Sequence, residues 1–219
     1  MRRALIVLAL LMGQIIPLAP YVAAVSAQQV MDRIVARIED DILTLSEVRE
    51  LGRYQQLVDG RAASDDRLLA QLIEQWIVNT EASAARYPRP TEAEVDRELE
   101  RLRRQFASPE IYGERLQRLG LSAAVVRRLV ERQIYLARYL DYKFRPAAQL
   151  GAAVIEKYYA EELAPSLAAR GQAAPALETV QDQIRELLMQ REISRRAAQW
   201  LEETRSRLKI ELAMPGSGS

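Results

Sequence analysis

Few side chains in this 219-residue chain are equipped for acid–base or covalent chemistry: it contains neither histidine nor cysteine. The first absence removes the commonest general base, the Ser/His/Asp and Cys/His nucleophile systems, and imidazole metal ligands. The second removes thiol nucleophiles and thiolate metal sites. No Walker loop or G-x-G-x-x-G run is present, and the sparse glycines fall near the ends of the expected helices. What remains is the acidic run Glu39-Asp40-Asp41 and three lysines, Lys143, Lys157 and Lys209, none in an obviously apolar stretch. Adjacent acids in a tight turn can hold a divalent cation, but they are more often simply solvated. The inventory points away from an enzyme, and it calls for no cofactor and no metal.

Aromatic residues offer a different chemistry, that of contact. Tyrosine dominates them, with nine against two phenylalanines. Tyr135, Tyr139 and Tyr142 fall on one long expected helix, and Tyr158-Tyr159 on the next. One reading is packing at the core margin, with ring bodies buried and hydroxyls wet. The other is an amphipathic groove for extended polypeptide, because tyrosine supplies contact area at low entropic cost and tolerates varied partners. The groove candidates are Tyr54, Trp76, Tyr112, Tyr135 and Tyr139, although Trp76 also reads as a core residue.

These side chains must be positioned by a mainly helical framework. Residues 32–47, DRIVARIEDDILTLSE, are the exception: an alternating run, an acidic turn and a second short apolar run make a β-hairpin. Thr44-Leu45-Ser46-Glu47 then reads as a capping box that opens a helix. An isolated hairpin is marginal in water. The only other convincing strand is Leu208-Lys209-Ile210-Glu211-Leu212, so the two ends of the chain are expected to meet in one small antiparallel sheet. Between them, helices are expected over residues 45–58, 65–86, 91–106, 109–120, 123–144, 151–163 and 178–207. On the fifth, Val126, Leu129, Val130, Ile134, Ala137 and Leu140 mark the core face. Residues 164–176, with Pro165, Gly171 and Pro175, read as a linker, and residues 213–219 as a disordered tail. A long last helix on such a linker is open to exchange between two copies, which makes a domain-swapped homodimer an expectation.

Residues 1–27 read as a secretory signal, with Arg2 and Arg3 before an apolar segment and Val25-Ser26-Ala27 at the cleavage site. The competing reading is an uncleaved anchor; Gln14, Pro17 and Pro20 interrupt the apolar stretch and favour cleavage. On that reading the protein is exported and meets the membrane only through its signal. Charge is nearly balanced overall, 31 basic against 30 acidic residues, but it is segregated. Residues 32–100 hold 9 basic and 16 acidic side chains, whereas residues 101–145 hold 11 and 4. Opposite helices lying together explain this without a partner, and a basic surface for anionic lipid or nucleic acid is the alternative. No aromatic or glycine pattern supports nucleic-acid binding.

The hairpin and capped helix of residues 32–47 resemble the start of the SurA-type periplasmic chaperones. The order that follows is similar too: LAQLIEQWI from Leu69, PTEAEVD from Pro90, residues 112–128, LMQREISRRAAQWLEE from Leu188, and the closing LKIEL. The resemblance implies one helical chaperone domain, built from residues 28–163 and closed by residues 177–212. In that family a parvulin-type prolyl isomerase module usually precedes the last helix. Here residues 164–176 stand in its place, too short for such a domain, and the parvulin-type histidines are absent. The resemblance therefore implies a periplasmic binder of unfolded or extended polypeptides, with outer-membrane proteins in transit as clients and without isomerase activity. The alternative is a structural adaptor subunit of an envelope complex. The purified protein is expected to leave cis/trans exchange of a proline peptide at its uncatalysed rate; acceleration above background contradicts this reading.

Overall fold

The computed structural model describes residues 32–213, so the signal segment and residues 214–219 of the expected tail lie outside the described residues. The alternating run forms strand β1 (Ile34–Ile38), which pairs antiparallel with β2 (Asp41–Thr44) on one side and with β3 (Ile210–Leu212) on the other. A register shift between Ile34 and Ala36 places a bulge at Val35. That extra residue is why Val35 and Ala36, adjacent in sequence, are both buried. At the turn, Glu39 adopts φ 51°, a left-handed conformation that costs a non-glycine residue energy. Two bonds hold it there: its N–H donates to the Lys209 carbonyl at 3.0 Å, and its carboxylate accepts from the Lys209 N–H at 2.8 Å. The strained turn thus clasps the incoming C-terminal strand.

Helix α1 (Leu45–Val58) starts at Thr44, whose N–H and hydroxyl both donate to the Glu47 carboxylate, at 2.8 and 3.0 Å. Asp32 adds a second cap from outside the helix, accepting from the Ser46 N–H at 3.2 Å and from the Ser46 hydroxyl. The hydroxyl's hydrogen bond holds the Asp32 carboxyl below its ordinary range. Helix α2 (Asp65–Ala84) crosses α1 at Gly52. A β-carbon there would sit 2.9 Å from a Leu68 methyl, so a larger residue would require that side chain to shift. This glycine lies inside a helix, contrary to the expectation that the glycines mark helix ends, because helix contact rather than helix termination selects it.

The chain continues through α3 (Glu92–Arg103), α4 (Pro109–Leu119) and α5 (Ala123–Phe144). Gly120 closes α4 in the left-handed conformation that such a stop requires. At about 33 Å, helix α5 is the central column of the molecule. Its buried stripe is Val126, Leu129, Val130, Tyr135, Leu136 and Tyr139. Ala137 is exposed, and Ile134 and Leu140 are only half-buried. Of the expected core face, Val126, Leu129 and Val130 are buried and Ile134 and Leu140 pack at its margin; only Ala137 is corrected, because α2 and its following loop pack against Tyr135, Leu136 and Tyr139.

After a 3-10 turn (Arg145–Ala147), α6 (Ala152–Tyr158) runs into a π-helical turn (Tyr159–Leu163) and then α7 (Ala164–Ala168). The expected linker is thus corrected, since its first five residues are helical. Pro165 has no N–H and its ring would strike the carbonyl four residues back. The widened turn, in which the Ala164 N–H donates to the Tyr159 carbonyl, lets the helix pass it. Residues 169–176 complete the connection, tied down by Tyr159 donating to the Pro175 carbonyl at 2.6 Å. Helix α8 (Leu177–Arg205) then returns along α6, α5 and α2 to deliver β3.

The fold is mainly α, with a small antiparallel sheet built from the N-terminal hairpin and the C-terminal strand. Segregated charge resolves into ion pairs between helices: Arg128–Glu50, Arg127–Asp96, Arg138–Glu94 and Lys143–Glu81 all join α5 to α1, α2 or α3. Complementary packing accounts for these basic side chains. Arg145 bridges Asp141 and Glu186, and its hydrogen bonds pull the exposed Glu186 carboxyl down to about 2.

Because β1 is the central strand, removing residues 208–213 is expected to destabilise the opposite end of the chain. Ala36 and Ile38, fully buried, would lose their neighbours on one edge. The cost should reach about 2 kcal/mol or more, a fall in Tm of about 4–8 °C. Thermal denaturation checks it, and an unchanged Tm would rule it out.

Candidate functional site

The five groove candidates do not form one surface. Tyr112, Tyr135 and Tyr139 are 8, 1 and 4 % exposed, and they are core residues. Tyr112 packs edge-on against Phe106, 5.2 Å between ring centres, inside the α3–α4–α5 cluster. Tyr135 and Tyr139 stack with Tyr87 at 6.0 and 5.5 Å, and the Arg89 guanidinium lies 4.1 Å from the Tyr135 ring. Their assignment to a groove is corrected. An aromatic ring with one polar atom is readily buried when that atom finds a partner, and the Tyr135 hydroxyl donates to the Tyr87 carbonyl.

Tyr54 and Trp76 line two neighbouring clefts. The first, about 470 Å³, lies between α1, α2 and α5, and Leu201 of α8 also lines it. Buried Leu51, Val78, Leu129 and Leu136 give it an apolar floor. Its rim is rich in primary amides: Gln55 from α1, Gln71 and Gln75 from α2, and Gln133 from α5. Some of their hydrogen-bonding groups are spent within the protein. The Gln55 amide donates to Gln71 at 2.7 Å, its oxygen accepts from the Ala63 N–H at 3.0 Å, and the Gln133 oxygen accepts from the Tyr54 hydroxyl at 3.0 Å. The amide hydrogens of Gln71 and Gln133 have no partner among the described residues. The Gln75 side-chain oxygen is buried and has no partner among the described residues. A buried acceptor left without a partner costs energy.

The second cleft, about 430 Å³, lies beside strand β2. Trp76 forms one wall, and its indole N–H donates to Asp41 at 2.8 Å. With Glu39 clasping Lys209, two of the three acids in the hairpin turn thus have structural partners. Among the described residues, no group of three or more acidic side chains is placed to hold a metal ion. Likewise, no helix among them is long and apolar enough to cross a membrane. Gln75 and Arg132 line both clefts, which makes them neighbours along one surface.

Burial, assisted by the nearby Glu98 charge, pushes the Tyr54 phenol up to about 12, so it remains a neutral donor throughout the physiological range. The groups assembled here bind by shape, apolar contact and hydrogen bonding. Sequence reading found Tyr54 and Trp76 but passed over the glutamines and Leu136. A signal was present: Gln71 and Gln75 recur one helical turn apart beside the α2 stripe, in a chain whose polar positions are mostly charged. No protein-family model and no curated protein matches this chain.

The raised phenol has a measurable consequence. The folded protein retains a proton that the unfolded chain releases near pH 10, so Tyr54's contribution to stability is complete below about pH 10 and lost as pH rises through about 12. Tyr54→Phe is expected to flatten the decline in stability over that window, followed by denaturant unfolding at stepped pH. An alkaline profile identical to that of the parent protein contradicts the assignment.

Proposed function

We propose that this protein is an exported binder of unfolded or extended polypeptide that works as a chaperone in the periplasm, without nucleotide, cofactor or covalent step. One observation carries the reading: a cleft with an apolar floor and a rim rich in primary amides, in which the amide hydrogens of Gln71 and Gln133 have no partner among the described residues. An extended chain presents alternating N–H and C=O groups whatever its sequence, and primary amides supply both complements. The apolar floor takes whichever hydrophobic side chain arrives, so binding is broad in specificity and modest in strength per site. The resemblance of the hairpin, capped helix and closing segment to SurA-type chaperones supports the same reading. By that resemblance, the clients are outer-membrane proteins in transit and prolyl isomerisation is not part of the activity.

The test is aggregation of several unrelated denatured proteins, followed by light scattering. The parent protein is expected to suppress aggregation of most of them. Ala137 is exposed and borders the first cleft, so Ala137→Trp fills the cleft from outside the core. It should weaken client binding about tenfold or more, equivalent to about 1.4 kcal/mol, with the Tm retained. Failure to protect any client, with stable co-purification of a single envelope protein, would favour the adaptor role instead.

A further inference from the structure

The first cleft has a neighbour at each end, and all three are bordered by one stripe of helix α1. Glu47 borders the second cleft; Leu51, Tyr54 and Gln55 border the first; and Val58 is shared by the first and a third, of about 460 Å³, which Leu57 and Gly60 border from outside this stripe. Glu47, Leu51, Tyr54, Gln55 and Val58 follow the spacing of a single helix face. The clefts therefore succeed one another in the direction of the α1 axis.

Two side chains mark the outer ends. Ile42, on β2, is 46 % exposed and lines the second cleft; Ile111, on α4, is 48 % exposed and lines the third. Large aliphatic groups left half-exposed in concave positions lose apolar area to water that an occupant would cover. The ionisable groups bordering the three clefts are six carboxylates and five arginines, nearly balanced. A polyanion or an anionic lipid surface gains no net attraction from such a lining, whereas a neutral main chain loses nothing to it.

We infer that the three clefts form one track along α1 that holds a single extended polypeptide segment of about five residues, with apolar side chains seated in turn beside Ile42, over the Leu51–Leu136 floor and beside Ile111. The length follows from geometry: from Glu47 to Val58 the helix advances about 17 Å, which an extended chain covers in about five residues. Same-face side chains in such a chain stand about 7 Å apart, so an apolar residue at every second position reaches each cleft. The amides of Gln71, Gln75 and Gln133 lie at the middle cleft, where the main chain crosses between outer pockets. This inference rests on the polypeptide-binding reading above, and it adds the length and apolar spacing of the preferred segment.

The probes are two fluorescent, end-capped peptides of otherwise threonine and serine composition. One has seven residues with leucine at positions 2, 4 and 6; the other has three residues with a single central leucine. Fluorescence anisotropy on the full protein is expected to show the longer peptide binding about tenfold or more tighter. Ile42→Asp and Ile111→Asp, both exposed and away from the core, should each remove most of that gain while leaving the short peptide unchanged. Equal affinities for the two peptides, or a long-peptide affinity insensitive to both substitutions, would overturn the track and leave the single-cleft reading standing. If neither peptide binds the parent protein although its Tm shows it folded, the polypeptide-binding reading itself falls.

Discussion

Strand β1 has a neighbour on each edge, one supplied by the next few residues and the other by the last described strand of the chain. This double pairing is the constraint on which the rest depends. A two-residue turn at Glu39 would be a strained feature on its own; here its left-handed backbone is held by both ends of Lys209's peptide geometry, N–H and carbonyl. Ala36 and Ile38 are fully buried only because β3 covers one edge and α1 and α2 cover the face. The contact is highly non-local, so closing it costs more chain entropy than pairing neighbouring strands.

With the sheet closed, the helices have little freedom. Gly52 brings α1 against α2, the ion pairs of α5 join it to α1, α2 and α3, and α8 must run back across α5 to deliver its strand. Close packing at the Gly52 crossing and along the tyrosine stripe of α5 leaves the opposite side of the α1–α2–α5 junction open. The clefts are what remains between helices whose positions are set elsewhere. Their lining combines an apolar floor, the amides of Gln55, Gln71, Gln75 and Gln133, and a nearly balanced set of charges.

The sequence made the architecture more legible than the site. Alternation in residues 33–38, the T-x-x-E boxes at Thr44 and Thr91, and Gly120 identify local elements because each signal is satisfied by neighbours a few residues away. Pairing of the two chain ends was readable too, because a lone hairpin needs a third strand. Most of the α5 core face was legible, but full burial of Tyr135 was not, because the backbone carbonyl that satisfies its hydroxyl lies 48 residues away at Tyr87. The helix through Pro165 was hidden because proline reads as a helix breaker, whereas the π turn before it lets the helix continue. Gln55, Gln71, Gln75 and Gln133 come from three helices, and only their convergence gives them meaning.

Clients are proposed to enter the α1–α2–α5 cleft. A photo-crosslinking residue placed at Ala137, on the cleft border, and another at Arg170, beyond α7 and distant in sequence from the cleft, test it directly in the purified protein mixed with a denatured client. Crosslinks to client from position 137, with little from position 170, are the expected result. Crosslinking that is equal at the two positions, or confined to position 170, would contradict the account.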